Sequence, residues 1–288
     1  YIHELASWPH FEWEHDRILA PLTEVRNKQG RLLGRLEAAG FQLRTQASLE
    51  SITQEIIRSS EIEGEALPID QVRSSVARRL GIEQAGEIAI SRVVEGVVEM
   101  MIDATQQHDQ ELTESRLFAW HAALFPAGRS GMKKLKVGAW RDDAKGPMQV
   151  VSGPIGKERV HFQAPDAARL TNEMDAFVNW FNASDKMDPV LKAAVAHLWF
   201  VTIHPFDDGN GRIARAITEM QLARADGTKQ RFYSMSAQIQ RDRNSYYSIL
   251  ERTQKGDMNI TVWLLWFIES LTKAITASDN SVTDVATK

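Results

Sequence analysis

The sequence predicts a mainly α-helical fold: a helical bundle with one β-hairpin, preceded by an N-terminal helical region. Along most of the chain, apolar residues recur three and four positions apart, which places them on one face of a helix. Residues 148–162 break this rhythm with two short β-prone runs around a Gly/Pro turn, the pattern of a hairpin. With 288 residues, 43% of them hydrophobic, the chain is long enough to bury a sizeable core.

The predicted helices follow one another in chain order. The first covers residues 16–39, and Gly40 ends it as a C-cap. The second covers residues 47–63 and is stopped by Gly64 and Pro68. Further helices are expected near residues 84–107, 112–125, 166–183, 188–203, 210–225, 242–255 and 259–276.

These elements suggest a division of the chain into three parts. Residues 1–82 form the predicted N-terminal helical region, and residues 83–276 form the predicted core. Residues 277–288 are rich in Ser, Thr, Asp and Asn, so we expect a polar tail that links to any following region.

Composition argues against several functional classes. Charged residues make up 25% of the chain and the net charge is −4, so the basic surface of a nucleic-acid-binding protein is missing. The chain has no cysteine, which excludes disulfides and thiolate chemistry and fits a cytoplasmic location. The longest apolar stretch, residues 260–271, is broken by Thr261 and Glu269 and falls short of the ~20 residues that span a bilayer.

The most informative segment is residues 188–215. Its first part, residues 188–203, is apolar on most sides and predicts a buried helix. The sequence HPFDDGNGRIAR follows as residues 204–215. Proline turns the chain out of the first helix, and Gly209 and Gly211 allow a ligand to approach the backbone closely. A second helix is expected to begin near Asn210.

This loop combines groups that bind a polyphosphate. The free N–H groups of a helix N-terminus attract anions. Arg212 and Arg215 lie three residues apart on one helix face, and a guanidinium binds two phosphate oxygens at once. Asp208 offers the hard oxygen that Mg²⁺ prefers. His204 is able to accept a proton from an attacking hydroxyl group.

Residues 204–215 resemble the complete Fic motif, H-P-F-x-[D/E]-G-N-G-R-x-x-R, at each of its specified positions. Gly138-Ala139-Trp140-Arg141 is similar to the G-x-[YFW]-R element of that family, and the 148–162 hairpin stands where Fic proteins have a target-positioning flap. Tyr246-Tyr247 and the Gln254-Lys255-Gly256-Asp257 stretch resemble the late element that closes over adenosine. The aromatic opening, residues 1–13, looks like a helical region found ahead of some bacterial Fic cores.

The resemblance implies a Fic-type helical bundle with one flap. It also implies an adenylyltransferase, which moves AMP from ATP to a Ser, Thr or Tyr hydroxyl group of a protein, with the enzyme itself among the candidate targets. By position, His204 would be the catalytic base and Asp208 the Mg²⁺ ligand. The groups that would hold the phosphates are Asp208, Gly209, Asn210, Gly211, Arg212 and Arg215. The groups that would line the nucleoside side are Val150, Val151, Ser152, Gly153, Tyr247 and Gln254.

The end of the second predicted helix resembles an inhibitory motif of the same family, [S/T]-x-x-x-E-[G/N]. Here Ser59, Glu63 and Gly64 occupy its fixed positions, and the inhibitory helix would cover about residues 47–64. Ser59 and Glu63 share one helix face. We expect Glu63 to pair with Arg215 and so to compete with the γ-phosphate of ATP for that guanidinium.

Two other functions stay open. The scaffold also suits removal of AMP from a modified protein, or transfer of a phosphoryl, UMP or phosphocholine group. A nucleotide-sensing regulatory protein is the third hypothesis. The retained Gly211, Arg212 and Arg215 favour AMP transfer, and the intact His204 argues against a sensor that has lost catalysis.

Other expectations concern partners and histidines. A target segment would dock along the 148–162 flap by strand pairing, which reads sequence weakly. The resemblance also suggests a homodimer. His121 and His197 lie within apolar helices, so we expect satisfied core histidines there rather than metal ligands.

Overall fold

The fold is mainly α-helical, as the sequence predicts. The computed structural model describes residues 1–83, 88–154, 156–184 and 186–286, with side chains described up to 281. The predictions for residues 84–107, 148–162 and 277–288 therefore each include positions outside the described residues. The described helices are α1 (His15–Ala38), α2 (Phe41–Ile62), α3 (Ile69–Arg79), α4 (Arg92–Gln106), α5 (Glu114–Leu124), α6 (Leu170–Asn182), α7 (Pro189–Ile203), α8 (Asn210–Asp226), α9 (Met235–Arg241), α10 (Arg243–Gln254) and α11 (Thr261–Ala286).

Helix α7 is the centre of the core. Every residue from Val190 to Ile203 is buried, because the helix is apolar around nearly its whole circumference. Asp188 caps its N-terminus by accepting a hydrogen bond from Val190 N–H at 2.8 Å, and Pro189 occupies the first turn, where no donor is needed. Helix α7 packs mainly against α8, which is also buried through most of its length. The loop between them is therefore held between two fixed helices.

The N-terminal region packs directly on this core. Helix α1 lies against α11, and α2 lies against α9. Ahead of α1, the rings of Trp8 and Phe11 meet Trp199 of α7 edge to face, at centroid distances of 6.2 and 5.8 Å. Glu12 N–H donates to Met258 O at 2.8 Å, which ties the opening of the chain to the start of α11.

Two small antiparallel hairpins complete the fold. The first joins β1 (Arg129–Ser130) to β2 (Lys133–Lys134), and the sequence did not predict it because two-residue strands leave no alternating pattern. The second joins β3 (Gln149–Ser152) to β4 (Arg159–Gln163), where a hairpin was predicted. Its register shifts between Val150 and Val151, the signature of a bulge. This second hairpin is the segment that we call the flap.

Several helices differ from their predicted bounds. Helix α3 was missed because Pro68 was taken only as a stop, although a proline also suits the start of a helix. The short α9 was missed as well. Helix α11 does not end at residue 276 but continues to Ala286, so most of the predicted polar tail is helical. The ion pair between Arg35 of α1 and Asp279, 2.7 Å long, helps to hold that extension against the bundle.

No helix in the described ranges is long and apolar enough to cross a membrane. This agrees with the broken apolar stretch at residues 260–271.

Candidate active site

The loop after α7 turns sharply at His204. Its φ of 52° and ψ of 57° lie in the left-handed region, while its N–H still donates to Phe200 O at 3.0 Å. Asn210 then clamps the loop, because its side chain accepts from Phe206 N–H at 2.9 Å and donates to Phe206 O at 2.8 Å. Asn210 is buried, so both bonds are shielded from water. This clamp fixes the path from His204 to the start of α8.

His121 of α5 supports the same loop through contacts with Phe206 and Asp208. Its ring stacks on Phe206 with centroids 4.2 Å apart, and its Nδ1 accepts from Gly138 N–H at 3.1 Å. The proton therefore sits on Nε2, which donates to the backbone oxygen of Asp208 at 3.2 Å. Burial lowers the pKa of His121 to about 4, which keeps the ring neutral. His121 is thus the satisfied core histidine that the sequence suggested.

Arg141 anchors the backbone of the loop on its other side. Its N–H donates to Pro205 O at 2.9 Å, and its Nε donates to His204 O at 2.8 Å. Its Nη2 donates to Pro165 O at 2.6 Å, just beyond the flap, and its Nη1 pairs with Asp143 at 3.0 Å. One fully buried guanidinium therefore joins the base of the flap to the loop.

His204 has the state that a general base needs. In the neutral tautomer its Nδ1–H donates to Val201 O at 3.3 Å, which leaves Nε2 as an acceptor. Burial lowers the pKa of His204 to about 4, with the nearby Arg141 charge acting in the same direction. At neutral pH the ring is therefore unprotonated and able to accept a proton.

The N-terminus of α8 presents backbone N–H groups beside His204. The first intrahelical bond runs from Ile213 N–H to Gly209 O at 3.0 Å, so the N–H groups of residues 210–212 precede it. A Cβ atom at Gly211 would lie 2.1 Å from Glu63 Oε1, so the Glu63 carboxylate lies directly against this turn. A carboxylate is the kind of group that a helix N-terminus attracts.

Arg215 is buried and held by the end of α2. Its Nε donates to Ser59 Oγ at 2.8 Å, and its Nη2 donates to Ser59 O at 2.9 Å and to Glu63 Oε1 at 2.7 Å. Its Nη1 is buried and has no hydrogen-bond partner among the described residues. Burial opposes the charge of Arg215, but the Glu63 carboxylate outweighs it and raises the pKa of the guanidinium. Ser59, Glu63 and Arg215 therefore meet at one point.

Arg212 lies one turn earlier and is also paired. Its Nη1 donates to Glu65 Oε2 at 2.5 Å, and its guanidinium lies 5.0 Å above the Phe125 ring. Its Nε is buried and makes no hydrogen bond within the described part of the chain. Each of these arginines thus pairs with a carboxylate from the end of α2 and keeps a buried nitrogen that has no hydrogen bond in the described chain.

Asp208 has one carboxylate oxygen that is unbonded in the described residues and so is available to a cation. Its Oδ1 accepts from Gly209 N–H at 2.6 Å, while Oδ2 has no hydrogen bond in the described part of the chain. The other acid of the loop, Asp207, accepts a hydrogen bond through Oδ2 from Lys136 N–H at 2.9 Å. The described residues contain no cluster of three or more His, Asp or Glu suited to a metal. A single carboxylate still suits Mg²⁺, which takes its other ligands from phosphate and water.

The flap and α10 form the remaining wall. Val151 and Ser152 are exposed on β3, and none of the hydrogen bonds of residues 150–153 in the described chain reaches the loop. Tyr247 donates to Ile62 O at 3.2 Å, beside Glu63. Gln254 is buried and donates to Thr202 Oγ1 at 3.3 Å, near the end of α7.

Comparison with known proteins agrees with this geometry. The sequence model of the Fic/DOC family matches residues 111–222, which include α5, α7, the loop and most of α8. Residues 111–222 therefore match a Fic domain. Residues 1–82 match a second family model, described as a domain of unknown function (DUF4172).

Curated relatives match most of the chain at modest identity. The Drosophila grimshawi "Protein adenylyltransferase Fic" is 26% identical over 246 residues, which cover 84% of this chain and 45% of that protein. The protein of the same name from Nematostella vectensis is 26% identical over 225 residues, 76% of this chain and 47% of its own length. The chain thus spans less than half the length of the curated relatives that it matches.

A solved structure has the same fold. A Fic family protein from Desulfovibrio desulfuricans G20 superposes with a TM-score of 0.66 at 21% identity, covering 92% of this chain and 75% of that one. A helical bundle with a flap and an N-terminal helical region is therefore a Fic fold, as the motif suggested.

The Fic domain brings most of the predicted site residues together. His204, Asp208 and residues 209–215 form one surface, and Ser59 and Glu63 reach it from α2. The flap residues 150–153 and Gln254 lie at its margins and make no bond to the loop in the described chain.

Sequence reasoning missed three residues of the Fic site. Glu65 lies two positions after Glu63 and just past a helix-ending glycine, a signal that was present but not used. His121 and Arg141 were noted, but their hydrogen bonds to the loop depend on folding across 87 and 63 residues of chain, respectively.

Proposed function

We propose that this Fic-domain protein transfers AMP from ATP to a hydroxyl group of a protein. The observation that supports this most is the meeting of a neutral His204 with the N-terminus of α8 and two buried arginines. A helix N-terminus and two guanidiniums suit a polyphosphate, and a neutral imidazole suits an incoming hydroxyl. The curated relatives that carry the name protein adenylyltransferase support the same reaction.

The reaction needs little covalent work from the protein. The hydroxyl oxygen attacks the α-phosphorus of ATP. The bond between the α-phosphorus and the oxygen that bridges it to the β-phosphate breaks, and pyrophosphate leaves. Nε2 of His204 accepts the hydroxyl proton. Arg212, Arg215 and the N–H groups of residues 210–212 neutralise and orient the phosphates, so the chain acts mainly by positioning and charge.

Mg²⁺ fits this site through Asp208. When bound with ATP, the cation supplies charge neutralisation for the phosphates. The free Oδ2 of Asp208 and the lack of a larger carboxylate cluster in the described residues favour a cation that arrives with the nucleotide.

Glu63 is the proposed inhibitor of this activity. Its carboxylate pairs with Arg215 and lies over Gly211, where a phosphate would otherwise approach. A bound phosphate would meet both a like charge and an occupied guanidinium. ATP would then bind in a pose that does not react.

Label transfer from ATP tests the reaction and the inhibitor together. The protein is incubated with Mg²⁺ and ATP labelled at the α-phosphate, and in parallel with ATP labelled at the γ-phosphate. The variants are wild type, Glu63→Gly and Glu63→Gly/His204→Ala. We expect strong transfer of α-label in Glu63→Gly alone, to the protein itself or to added cell proteins, and loss of about 10²-fold or more when His204 is also replaced.

The other outcomes assign other functions. Transfer of γ-label alone means phosphorylation on this scaffold. Binding of ATP without transfer of either label in any variant favours a nucleotide sensor or the removal of AMP. Equal α-label transfer in wild type and Glu63→Gly would leave the reaction standing and remove the inhibitor.

Removal of AMP is a second candidate, and the position of Glu63 favours it. Only Oε1 of Glu63 is bonded to Arg215; Oε2 has no hydrogen bond in the described chain, and 32% of the side chain is exposed to water. A carboxylate so placed is able to orient a water molecule towards a phosphorus atom. Release of AMP from a pre-modified protein by wild type, but not by Glu63→Gln, would support it.

Several expectations stay predictions. They are the docking of a target segment along the flap, the homodimer, the choice among Ser, Thr and Tyr hydroxyl groups, self-modification, and the cytoplasmic location.

A further inference from the structure

Two carboxylates, not one, reach the arginines of the loop. Glu63 pairs with Arg215 at 2.7 Å, and Glu65 pairs with Arg212 at 2.5 Å. Both guanidiniums are almost fully buried, whereas 32% of the Glu63 side chain and 38% of the Glu65 side chain are exposed. The arginines are therefore fixed parts of the site, and the acids approach it from outside.

The end of α2 explains why both acids face the site. Glu65 N–H donates to Ser60 O and Gly64 N–H donates to Glu61 O, each at 3.0 Å, which is the Schellman pattern of a helix end. Gly64 has a φ of +83°, which reverses the chain between the two glutamates. Because the turn is closed by two hydrogen bonds, the backbone positions of the two glutamates are fixed relative to each other.

The two arginines also have a fixed relative placement. Arg212 and Arg215 lie three residues apart on the first turns of α8 and so share a face. Glu63 pairs with Arg215, and Glu65, which follows it in the chain, pairs with Arg212, which precedes Arg215. The two ion pairs thus form one reciprocal contact between the end of α2 and the start of α8.

Arg212 is built to hold an anion. The Phe125 ring lies 5.0 Å from its guanidinium and limits the movement of that group. The Glu65 carboxylate bonds to Nη1 of Arg212, while the buried Nε has no hydrogen bond to any described residue. A guanidinium that binds phosphate is in this state when another anion occupies part of its binding site.

We propose that Glu65 is a second inhibitory carboxylate, which occupies Arg212 while Glu63 occupies Arg215. The inference rests on the proposed binding of ATP phosphates at this site. Release of Glu63 alone leaves Arg212 partly occupied and a like charge near the phosphates. Full ATP affinity requires that both acids leave, which a shift of the α2 end as one unit would achieve.

A rival role for Glu65 is purely mechanical. The Glu65–Arg212 pair would then only hold the end of α2 in place, so that Glu63 reaches Arg215. The two roles differ in a background without Glu63: a mechanical anchor has nothing left to position there, whereas a competitor for Arg212 still acts.

The experiment is a double-mutant cycle on ATP binding. The dissociation constant of ATP with Mg²⁺ is measured by calorimetry for wild type, Glu63→Gly, Glu65→Gln and Glu63→Gly/Glu65→Gln, and α-label transfer is measured on the same samples. We expect Glu65→Gln to tighten ATP binding about three- to tenfold in the Glu63→Gly background, with a parallel gain in transfer. Circular dichroism and thermal unfolding establish that each variant is folded.

Glu61→Gln is the matched control. Glu61 lies on the same helix end and pairs with Arg58 at 2.7 Å, away from the loop arginines. The Glu61→Gln substitution removes one negative charge from the region but does not affect the Glu65–Arg212 pair, so we expect ATP binding not to change. An equal gain from Glu61→Gln would reduce the effect to general charge and overturn the inference.

The remaining outcomes separate this inference from the proposed function. If ATP binds and Glu63→Gly activates transfer, but Glu65→Gln changes nothing in that background, the second carboxylate is refuted and the proposed function stands. A Glu65→Gln effect confined to the wild-type background refutes it in favour of the mechanical anchor. If no variant binds ATP, the proposed function fails and the inference fails with it.

Discussion

Arg141 Nε lies 2.8 Å from the backbone oxygen of His204, and the same guanidinium donates to Pro165 O at the base of the flap at 2.6 Å. One buried side chain thus fixes the 204–215 loop and the flap relative to each other. Lysine has a single terminal nitrogen and is unable to make these bonds at once.

We therefore expect Arg141→Lys to misplace His204. In the Glu63→Gly background it should lower α-label transfer about 10²-fold, since displacement of about 1 Å costs that much. Thermal unfolding should show a loss of about 2–3 kcal/mol, because buried carbonyl groups lose their donors. Arg17→Lys, at an exposed pair with Glu14, is the control and should change neither quantity. Unchanged transfer by Arg141→Lys would remove Arg141 from the positioning of the loop.

Gly211 tests the approach of phosphates to α8. A Cβ there would lie 2.1 Å from Glu63 Oε1 and 3.1 Å from Arg215 Nη1. In the Glu63→Gly background the methyl group of Gly211→Ala would fill the space vacated by the carboxylate. We expect that variant to lose measurable transfer and to bind ATP at least about tenfold more weakly.

Gly34 supplies the control for this substitution. It lies in α1, and a Cβ there would meet nothing within 4 Å. Gly34→Ala should leave transfer unchanged and stabilise the protein by about 0.5–1 kcal/mol, because alanine suits a helix better than glycine. Full activity of Gly211→Ala would mean that phosphates do not approach this turn.

Glu251 holds the flap against α10. It accepts from Arg159 at 2.9 Å and His161 at 2.7 Å on β4, and from Lys255 at 2.6 Å on its own helix. His161 in turn lies 2.6 Å from Ser152 Oγ on β3. The hydrogen bond from Lys255, followed by that from His161, lowers the pKa of Glu251 to about 2, so the carboxylate stays charged.

We expect Glu251→Gln to loosen the flap without disturbing the phosphate site. The KM for a protein target should rise about three- to tenfold while the KM for ATP stays constant, because only the flap is proposed to align the target. Glu269→Gln, which removes an exposed ion pair with Lys273 on α11, is the matched control. A parallel rise in both KM values would show that Glu251 acts on the whole site.

His197 makes stability depend on pH. It is buried between Tyr246, whose hydroxyl donates to Nε2 at 2.8 Å, and Thr218 Oγ1, which accepts from Nδ1 at 2.9 Å. Burial, aided by the Arg215 charge, lowers its pKa from 6.5 to about 3. The unfolded chain therefore binds more protons than the folded one between about pH 3 and 6.5.

Because the unfolded chain binds more protons, the free energy of unfolding decreases as the pH falls through this range. The contribution of neutral His197 is complete above pH 6.5 and is lost as the pH falls towards 3. We expect the free energy of unfolding of His197→Gln to fall less steeply with acidification than that of wild type, by up to about 1.4 kcal/mol per pH unit. Urea unfolding at pH 4.5 to 7 measures the slope. The exposed His10→Gln is the control, and an unchanged slope in His197→Gln would contradict the assignment.

Local sequence determined much of this protein. The spacing of apolar residues predicted most helices and the flap, because the period at which apolar residues recur in a segment indicates whether that segment forms a helix or a strand. Twelve consecutive residues, 204–215, contain the histidine, the acid, the glycines and the arginines of the site. Their chemistry was readable because turn, helix start and charged groups are all local features.

Only the tertiary structure decided how these groups are held. His121, Arg141 and Glu251 act through partners far away in the chain, which no local pattern reveals. The role of Glu65 depends on a helix end that presents two carboxylates to a helix more than 140 residues later. Residue types set which interactions are available, whereas the packing of α2, α7 and α8 selects the ones that form, because burial and distance fix their strength.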